Sequence, residues 1–550
     1  MRFQLDHDWQ GNMASPRARV GEGVKTQLLL ILCAIWILFG LIGHAPWKPI
    51  ESTSISIVKN ILDTGSFVAP LAVDAANLES PPLYYLSAAV SAKLFSPWLA
   101  LHDGARLINA VWLSITLLMV GMTGRELWSR GVGRHATFIM IGTIGLVMSA
   151  HSLNNEVAHL TSLATGFYAL ALAKRRPWRA SVLFAAALSV GFLAYGLMPL
   201  LILLSSAFIM PLLFNTWRSS SFFKFLLTAI LLASLPIAGW LLTFQHFHDA
   251  LFNQWWQSNV THFGESNHFY FARILLWFAW PALPLALLGL WRYRKQLLTQ
   301  SKFQLILVFF ICSLVFLGIG ADSKDIYALP LLLPLVALAA GSVEHLKRGF
   351  AAALNWFGVL LFGIIGALIW LGWAAMMTNV PAKIKERLQF LSGLNEISLN
   401  WLSLLAAICI TVIWAFVCIR AKQTNKSTVT NWAVGMTFSW TLLMTIWLPL
   451  LDSAKSYQPV FSSLFHALPT QYHCINSLNV GQSQRLLMHY HTNIKLRPFE
   501  DTQELSCDLY LLQDTKGMGK MQPGQEWEMI WSGRRIADRK EGFRLFRRIN

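Results

Sequence analysis

The sequence has few charged residues for its length. Only 13% of its 550 residues are Asp, Glu, Lys or Arg, whereas 55% are hydrophobic and 24 are Trp. Soluble globular domains carry about 25% charged residues, so this composition excludes an ordinary soluble protein. Apolar stretches of about 20 residues, the length that crosses a bilayer, recur between residues 26 and 450. The sequence therefore predicts a polytopic membrane protein.

Acidic residues are scarcer than basic ones. The chain has 27 Asp and Glu against 44 Lys and Arg, which gives a net charge of +17. Basic clusters precede the first apolar stretch and recur between later ones, and this pattern predicts a cytoplasmic N-terminal segment, residues 1–25. Fitting spans between the clusters predicts about 13 transmembrane helices. The positive charge thus indicates topology and contact with anionic membrane lipids, and no basic-aromatic module indicates a nucleic-acid partner.

This plan requires a long outer loop, residues 46–105. Within it, residues 50–62 and 83–95 are apolar on one helical face, which predicts two helices lying on the membrane surface. The odd number of spans places residues 451–550, where charges return, outside as a tail domain. The alternating stretches RLLMHYH (485–491), CDLYLLQ (507–513) and FRLFRRI (543–549) predict strands, so the tail is expected to be α/β.

Cysteine is also rare. Four of the six cysteines lie in apolar spans, where we interpret them as small buried hydrophobic residues. Cys474 and Cys507 are the two in the tail, where an oxidising compartment allows a disulfide. The sequence leaves open whether they are bridged or free.

Polar residues that remain near the apolar spans fall on the predicted outer side. Glu51 and Glu79 lie in the first outer loop, Glu156 lies in the second, and Lys324 lies in a later one. Ionisable residues gathered at span ends on one side of a membrane indicate a functional site. The alternative is ordinary solvated loop polarity, which explains any single one of these residues.

The order of several motifs carries a family resemblance. The first outer loop contains WKPIE (47–51), GSFVAP (65–70), LESPPLYY (78–85) and GAR (104–106). Later motifs are NNEVAHLTSLATGFYALALA (154–173), FLAYGLMPLL (192–201) and SKDIYALPLLLPLVAL (323–338). In this order and spacing the chain resembles the superfamily of aminoarabinose transferases and protein O-mannosyltransferases, membrane glycosyltransferases of the GT-C fold. The resemblance covers roughly residues 26–345.

The resemblance implies an all-α GT-C transmembrane domain, residues 26–450, followed by the tail domain. It implies a bacterial inner-membrane protein whose tail lies in the periplasm. The implied activity is inverting glycosyl transfer from a polyprenyl-phosphate sugar to a lipid such as lipid A, a glycan or a protein. The alternative is a catalytically impaired protein of this fold that binds or moves polyprenyl lipids.

Site residues follow from the same motifs. The resemblance implies Glu51, Glu79 and Glu156 as catalytic acids, and Glu79 as the place for a divalent metal ion, the one cofactor that it leaves open. Residues that match donor-binding positions are Arg106, Tyr195, His262, Lys324 and Tyr327.

Four positions depart from the family pattern. Ile50 stands where an Asp is usual, Ser80 and Tyr195 where a Lys is usual, and His262 where an Arg is sometimes found. Lost cations weaken phosphate binding, which favours the non-catalytic alternative. Glu51 could also serve as an N-terminal charge on a surface helix, and Tyr327 as an interfacial belt residue.

Overall fold

The computed structural model describes residues 22–73, 75, 78–261, 269–420, 425–499, 507–514, 526–535, 537–538 and 541–549. His262, a predicted donor-binding residue, lies outside these ranges. Helices occupy most of the described chain up to residue 467, and a small sheet follows.

The helices are numbered in chain order. They are α1 (Glu22–Leu38), α2 (Ile50–Thr64), α3 (Leu83–Phe95), α4 (Leu101–Arg106), α5 (Ile108–Leu127), α6 (Arg130–Ile141), α7 (Ile144–Ala150), α8 (Glu156–Leu172), α9 (Pro177–Tyr195), α10 (Leu197–Leu213), α11 (Ser220–Phe247), α12 (Asp249–Thr261), α13 (Tyr270–Phe278), α14 (Ala282–Arg292), α15 (Ser301–Gly320), α16 (Leu329–Ser342), α17 (Arg348–Thr378), α18 (Ala382–Ser392), α19 (Trp401–Arg420), α20 (Asn425–Ile446), α21 (Leu448–Lys455), α22 (Gln458–Ala467) and α23 (Gln482–Thr492). Short 3-10 turns lie at Asn215–Trp217, Asp325–Ala328 and Val343–His345.

By length and composition, seven helical segments of the described chain can cross a membrane, or up to ten if each of three sharply bent helix pairs is one span. The bent pairs are α6 with α7, α13 with α14 and α20 with α21. The predicted plan also uses the shorter helices α1, α8 and α10. Each of these three has 17 residues, the lower limit of the length that crosses a bilayer, so the count of 13 stays a prediction.

The transmembrane helices share one large apolar core, and small residues let their backbones approach. Gly341 on α16 leaves room for a side chain of a neighbouring segment, because a Cβ atom there would meet the Trp128 indole at 2.2 Å. The Trp128 Nε1 donates to the Ala337 carbonyl at 3.0 Å, which satisfies its only polar group within the core.

The first outer loop folds as three helices, α2 to α4. Helix α2 ends at Gly65, whose positive φ of 70° lets its N–H reach the Ile61 carbonyl. The prediction that the apolar face of α2 lies on a membrane is wrong for its centre. Ile57, Val58 and Ile61 are buried in a second core that includes residues of the tail domain. An apolar helical face suits either environment, and only the tertiary structure decides between them.

Helix α3 differs from α2. Its Tyr84 and Tyr85 are buried, whereas Val90 and Leu94 are 69% and 65% exposed. This face remains available for the membrane surface on which the sequence places it.

The tail contains a five-stranded sheet in the order β2-β1-β3-β5-β4. The strands are β1 (Ile475–Leu478), β2 (Leu496–Pro498), β3 (Leu509–Asp514), β4 (Trp527–Arg534) and β5 (Gly542–Arg548). Strand β1 pairs in parallel with β2 and β3, whereas β5 pairs antiparallel with β3 and β4. A disulfide joins Cys474 to Cys507.

The predicted strand RLLMHYH is wrong. It lies in α23, which ends at Asn493 in the left-handed conformation with φ of 58°. Leu486, Leu487 and Met488 are all buried in succession, and a run of adjacent apolar residues does not distinguish a strand from a buried helix.

Candidate functional site

A buried ion-pair network lies under the first outer loop. Arg106, at the end of α4, is fully buried and donates from Nε to Glu51 at 2.6 Å and from Nη1 to Asp103 at 2.9 Å. Its remaining donors reach the carbonyls of His44 and Ala45. Every side of the guanidinium therefore has a protein partner. The geometry favours a positioning role for Arg106 over the predicted contact with a donor.

Glu51 is equally saturated. One carboxylate oxygen accepts from the backbone N–H of Leu153 at 2.8 Å, and the other accepts from that of Trp47 at 2.8 Å. Burial alone would raise the pKa of Glu51, but the charge and hydrogen bonds of Arg106 outweigh burial and lower it. Glu51 therefore holds the chain just before Glu156 as a fixed anion.

Glu156 begins helix α8 and is buried, where the helix dipole favours its negative charge. The His159 Nδ1 lies 3.2 Å from its carboxylate, and the Tyr195 hydroxyl also donates to it. The His159 ring stacks on Tyr195 with centroids 4.1 Å apart. The His159 Nε2 is buried and has no hydrogen-bond partner among the residues that the structure describes. Glu156, His159 and Tyr195 thus form one unit, in which the two ring side chains fix the orientation of the Glu156 carboxylate.

Glu79 differs from Glu156 in its exposure. Its side chain remains accessible to solvent, yet the surrounding protein desolvates the carboxyl group enough to raise its pKa, an effect that Lys324 opposes. The neighbouring Ser80 accepts a hydrogen bond from Asn155 at 2.9 Å. The residue after Glu79 is thereby tied to the residue before Glu156.

Two tyrosines lie between the acids. Tyr85 and Tyr327 are each close enough to feel the charges of both Glu79 and Glu156. Tyr85 is buried and its hydroxyl lies 3.4 Å from Ser80 Oγ, whereas Tyr327 is half-buried. The two acids and the two tyrosines therefore form one cluster of interacting polar groups.

Lys324 supplies a positive charge near Glu79. It lies directly before the 3-10 turn Asp325–Ala328, with its ammonium 3.0 Å from Asp322, and 62% of its side chain is exposed. The ammonium also lies 5.7 Å from the centre of the Tyr327 ring. A solvated lysine beside Tyr327 suits a phosphate better than a fixed structural pair does.

The turn at Gly196 lies against two other parts of the chain. Gly196 has a φ of 112°, which strongly favours glycine, and a Cβ atom there would lie 3.8 Å from Pro81 and 3.7 Å from Asn259. Pro81 follows the Glu79 segment, and Asn259 lies on α12. Three distant parts of the chain thus meet beside Tyr195.

The metal prediction is not supported by a ligand cluster. Among the residues that the structure describes, no three His, Cys, Asp or Glu side chains lie together as a metal-binding group. Glu79 faces Lys324, whose ammonium itself supplies a positive charge. The role of Glu79 as a metal ligand stays a prediction.

Sequence reasoning missed three residues of this region: Asp103, Tyr85 and His159 as a partner of Glu156. The last was detectable, since residues three apart on a helix share a face. Tyr85 belongs to the LESPPLYY motif but had no role assigned. Asp103 pairs with Arg106 in the same way as His159 pairs with Glu156, at a helical spacing of three.

Comparisons with known proteins agree with this architecture. No model of a known protein family matches the chain. It is 24% identical over 436 residues to the undecaprenyl phosphate-alpha-4-amino-4-deoxy-L-arabinose arabinosyl transferase of Pseudomonas savastanoi pv. phaseolicola, covering 76% of each protein. It is 26% identical over 370 residues to transferase 2 of the same name from Pseudomonas fluorescens, covering 61% of this chain and 60% of the relative.

The crystal structure of ArnT from Cupriavidus metallidurans in the apo state superposes with a TM-score of 0.69 and 13% identity, over 95% of this chain and 98% of ArnT. The chain has the GT-C fold. The structure of the same ArnT bound to undecaprenyl phosphate gives a TM-score of 0.68 and 12% identity, over 96% of this chain and 98% of ArnT. The predicted GT-C fold and the resemblance to aminoarabinose transferases are confirmed.

Proposed function

We propose that the protein is a glycosyltransferase that moves a sugar from a polyprenyl-phosphate donor to a lipid, glycan or protein acceptor. The observation that carries the proposal is the cluster of Glu79, Glu156, Tyr85 and Tyr327, whose charges interact, with Lys324 close to Glu79 and to the Tyr327 ring. The names of the relatives support the donor class, because they describe transferases of undecaprenyl phosphate-linked aminoarabinose.

The residues of this cluster have two different roles in the proposed reaction. Sugar transfer needs a base to take the proton of the acceptor hydroxyl, and positive or hydrogen-bonding groups to stabilise charge on the departing phosphate. Glu79 is accessible and is the candidate base. Lys324 and Tyr327 are the candidates for holding the phosphate, Lys324 by charge and Tyr327 by its hydroxyl.

Glu156 serves this reaction from a fixed position. Its carboxylate is held by His159 and Tyr195. In this arrangement Tyr195 affects the reaction by positioning Glu156. Such a held carboxylate can accept a hydrogen bond from a sugar hydroxyl and stabilise positive charge that develops on the ring. Glu51 and Arg106 support it by fixing the backbone at Leu153.

Glu79→Gln tests the central assignment. The substitution keeps the shape of the side chain but removes the base, so turnover of a polyprenyl-phosphate sugar should fall by about 100-fold or more. Glu344→Gln is the matched control, because Glu344 is an exposed acid paired with Lys426 at the far end of the bundle and should leave turnover unchanged. Protein amount and thermal stability are measured in parallel.

Two results would contradict the assignment. Full specific activity in Glu79→Gln would show that the acid is a structural part of the loop. A wild-type protein that binds the donor but transfers no sugar to any lipid, glycan or protein acceptor would instead support the lipid-binding alternative, for which the absence of the usual lysine at Ser80 is the favouring observation. Ser80→Lys should tighten donor binding, since it restores a cation beside Glu79.

The proposed orientation places the cluster of Glu79 and Glu156, and the tail, in the periplasm and the N-terminus in the cytoplasm of a bacterial inner membrane. The tail packs on α2 of the first outer loop, so both must lie on the same side. Alkaline phosphatase fused after residue 455 should be active, and fused after residue 426 it should be inactive. The opposite pattern would reverse the proposed orientation.

A further inference from the structure

A cavity lies at the end of the helix bundle opposite Glu79 and Glu156. It measures about 380 Å³ and lies between α1, α5 and α6. Its lining residues are Thr26, Leu29, Leu30, Cys33, Ala34, Ile37, Ser114, Leu117, Leu118, Gly121, Met122, Arg125, Gly133, Arg134 and Thr137. We call this cavity the α1 groove. Neither the proposed reaction nor the tail uses it.

The α1 groove exists because α1 packs on the bundle by only one of its ends. Trp36 and Ile37 near its outer end are 0% and 4% exposed, whereas Leu28 and Leu30 are 57% and 62% exposed. The first half of α1 is thus more exposed than the segment around Trp36, and the groove opens beside it. In a membrane, this lateral opening is filled by lipid, because an empty apolar gap would forfeit its contacts.

The opposite wall of the groove is continuous. A Cβ atom on Gly133 would lie 2.5 Å from the Gly121 carbonyl oxygen, so α6 and α5 touch through their backbones at this point. The groove runs along α1 from Thr26 to Ile37, about 16 Å at 1.5 Å per residue. This is about half the thickness of a bilayer core, the depth of one leaflet.

The two ends of the groove differ in charge. Arg125 and Arg134 lie at the end where α1 begins, and the described lining contains no Asp or Glu. Glu126, the acid next to Arg125 in sequence, instead forms an ion pair with Arg175 at 2.5 Å. The groove thus combines an apolar slot one leaflet deep with a positive mouth.

We propose that the α1 groove binds an anionic phospholipid of the cytoplasmic leaflet, with its phosphate at Arg125 and Arg134 and one acyl chain along Leu29, Cys33 and Leu117. The leaflet follows from the orientation proposed above, and the site is separate from the cluster of Glu79 and Glu156. An anionic headgroup matches the two arginines, whereas a zwitterionic one brings its own cation to the same mouth.

Titration of the delipidated full-length protein tests this site. Phosphatidylglycerol and phosphatidylcholine with identical acyl chains are added, and bound lipid is counted by native mass spectrometry while thermal stability is followed. Wild type should retain one phosphatidylglycerol and gain thermal stability from it, and phosphatidylcholine should do neither. In the double variant Arg125→Gln/Arg134→Gln, affinity for phosphatidylglycerol should fall by about tenfold or more, given two lost cations at the headgroup.

Two further variants separate the groove from general surface charge. Arg292→Gln/Arg294→Gln removes two arginines from the end of α14, outside the groove, and should leave binding unchanged. Ser114→Phe places a ring in the slot from an exposed position on α5 and should block the lipid while both arginines remain. Equal binding of the two lipids, or equal losses in both arginine pairs, would overturn the proposal. So would full binding in Ser114→Phe.

Discussion

The first outer loop contains two glutamates in opposite environments. Glu51 is buried, and its oxygens accept from an arginine and two backbone N–H groups. Glu79 is accessible, and burial raises its pKa instead of a partner lowering it below the usual range. The comparison indicates that a saturated acid organises the backbone, whereas an acid with free capacity can exchange a proton. Their positions in the family motifs alone predicted the same catalytic role for both glutamates.

The largest effect is expected from removing the ion-pair partner of Glu51. Arg106→Met leaves a buried carboxylate without its counter-charge, which should cost about 3 to 5 kcal/mol of unfolding free energy. Arg175→Met is the matched control, because its ion pair with Glu126 has an arginine that is 54% exposed, so solvent screens the pair and its loss should cost far less stability. Denaturation in detergent measures both.

The same variant decides between two roles for Arg106. A destabilised protein whose residual folded fraction binds donor normally supports the positioning role. A variant of normal stability with lost donor binding would instead support the contact with the donor that the sequence predicted.

The next effect concerns how Glu156 is held. His159→Leu removes the Nδ1 contact at 3.2 Å and should lower kcat by about tenfold or more, the size of one hydrogen bond to a charged group, with little change in KM. His159→Asn keeps an amide donor near the position of Nδ1 and should recover most of this loss. Equal activity of the two variants would show that the ring acts by packing on Tyr195, and not through its nitrogen.

A smaller effect is expected in the pH dependence of turnover. Glu79 must lose its proton to act as a base, so activity should rise with pH through a pKa that burial has raised above the usual glutamate value. Lys324 opposes this shift. Lys324→Met should therefore move the acid limb of the kcat profile to higher pH, whereas Lys324→Arg should leave it in place. An acid limb that does not move in Lys324→Met would show that another group controls it.

The sequence predicted local features of the site better than its long-range contacts. The spacing of apolar residues predicted helices at 50–62 and 83–95, and the structure has helices Ile50–Thr64 and Leu83–Phe95 there. The pair of Glu156 and His159 follows from helical spacing in the same way. No spacing rule connects Glu51 with Arg106 or Lys48 with Glu541, because only the tertiary fold brings these residues together.

The tail shows the same limit. Its apolar contact with α2 was interpreted as a membrane surface, because Ile57, Val58 and Ile61 would suit lipid as well as protein. In α23, three adjacent apolar residues are compatible with a strand as well as with a buried helix. In both cases the sequence indicated which residues are buried but not what covers them.

The weakest predicted effect tests how the tail holds the Glu51 side of the loop. Lys48 pairs with Glu541 at 2.5 Å, and their side chains are 26% and 20% exposed. Glu541 also accepts a hydrogen bond from Tyr457, so the single variants Lys48→Met and Glu541→Gln disturb different sets of contacts. A double-mutant cycle on unfolding free energy isolates the ion pair and should give a coupling of about 1 kcal/mol or less, because solvent screens partly exposed charges. The acid limb set by Glu79 should not move in any of these variants, since the contact lies on the Glu51 side. A shifted limb in Lys48→Met would show that the two glutamates are coupled through the loop, and the division between a structural and a reactive acid would fail.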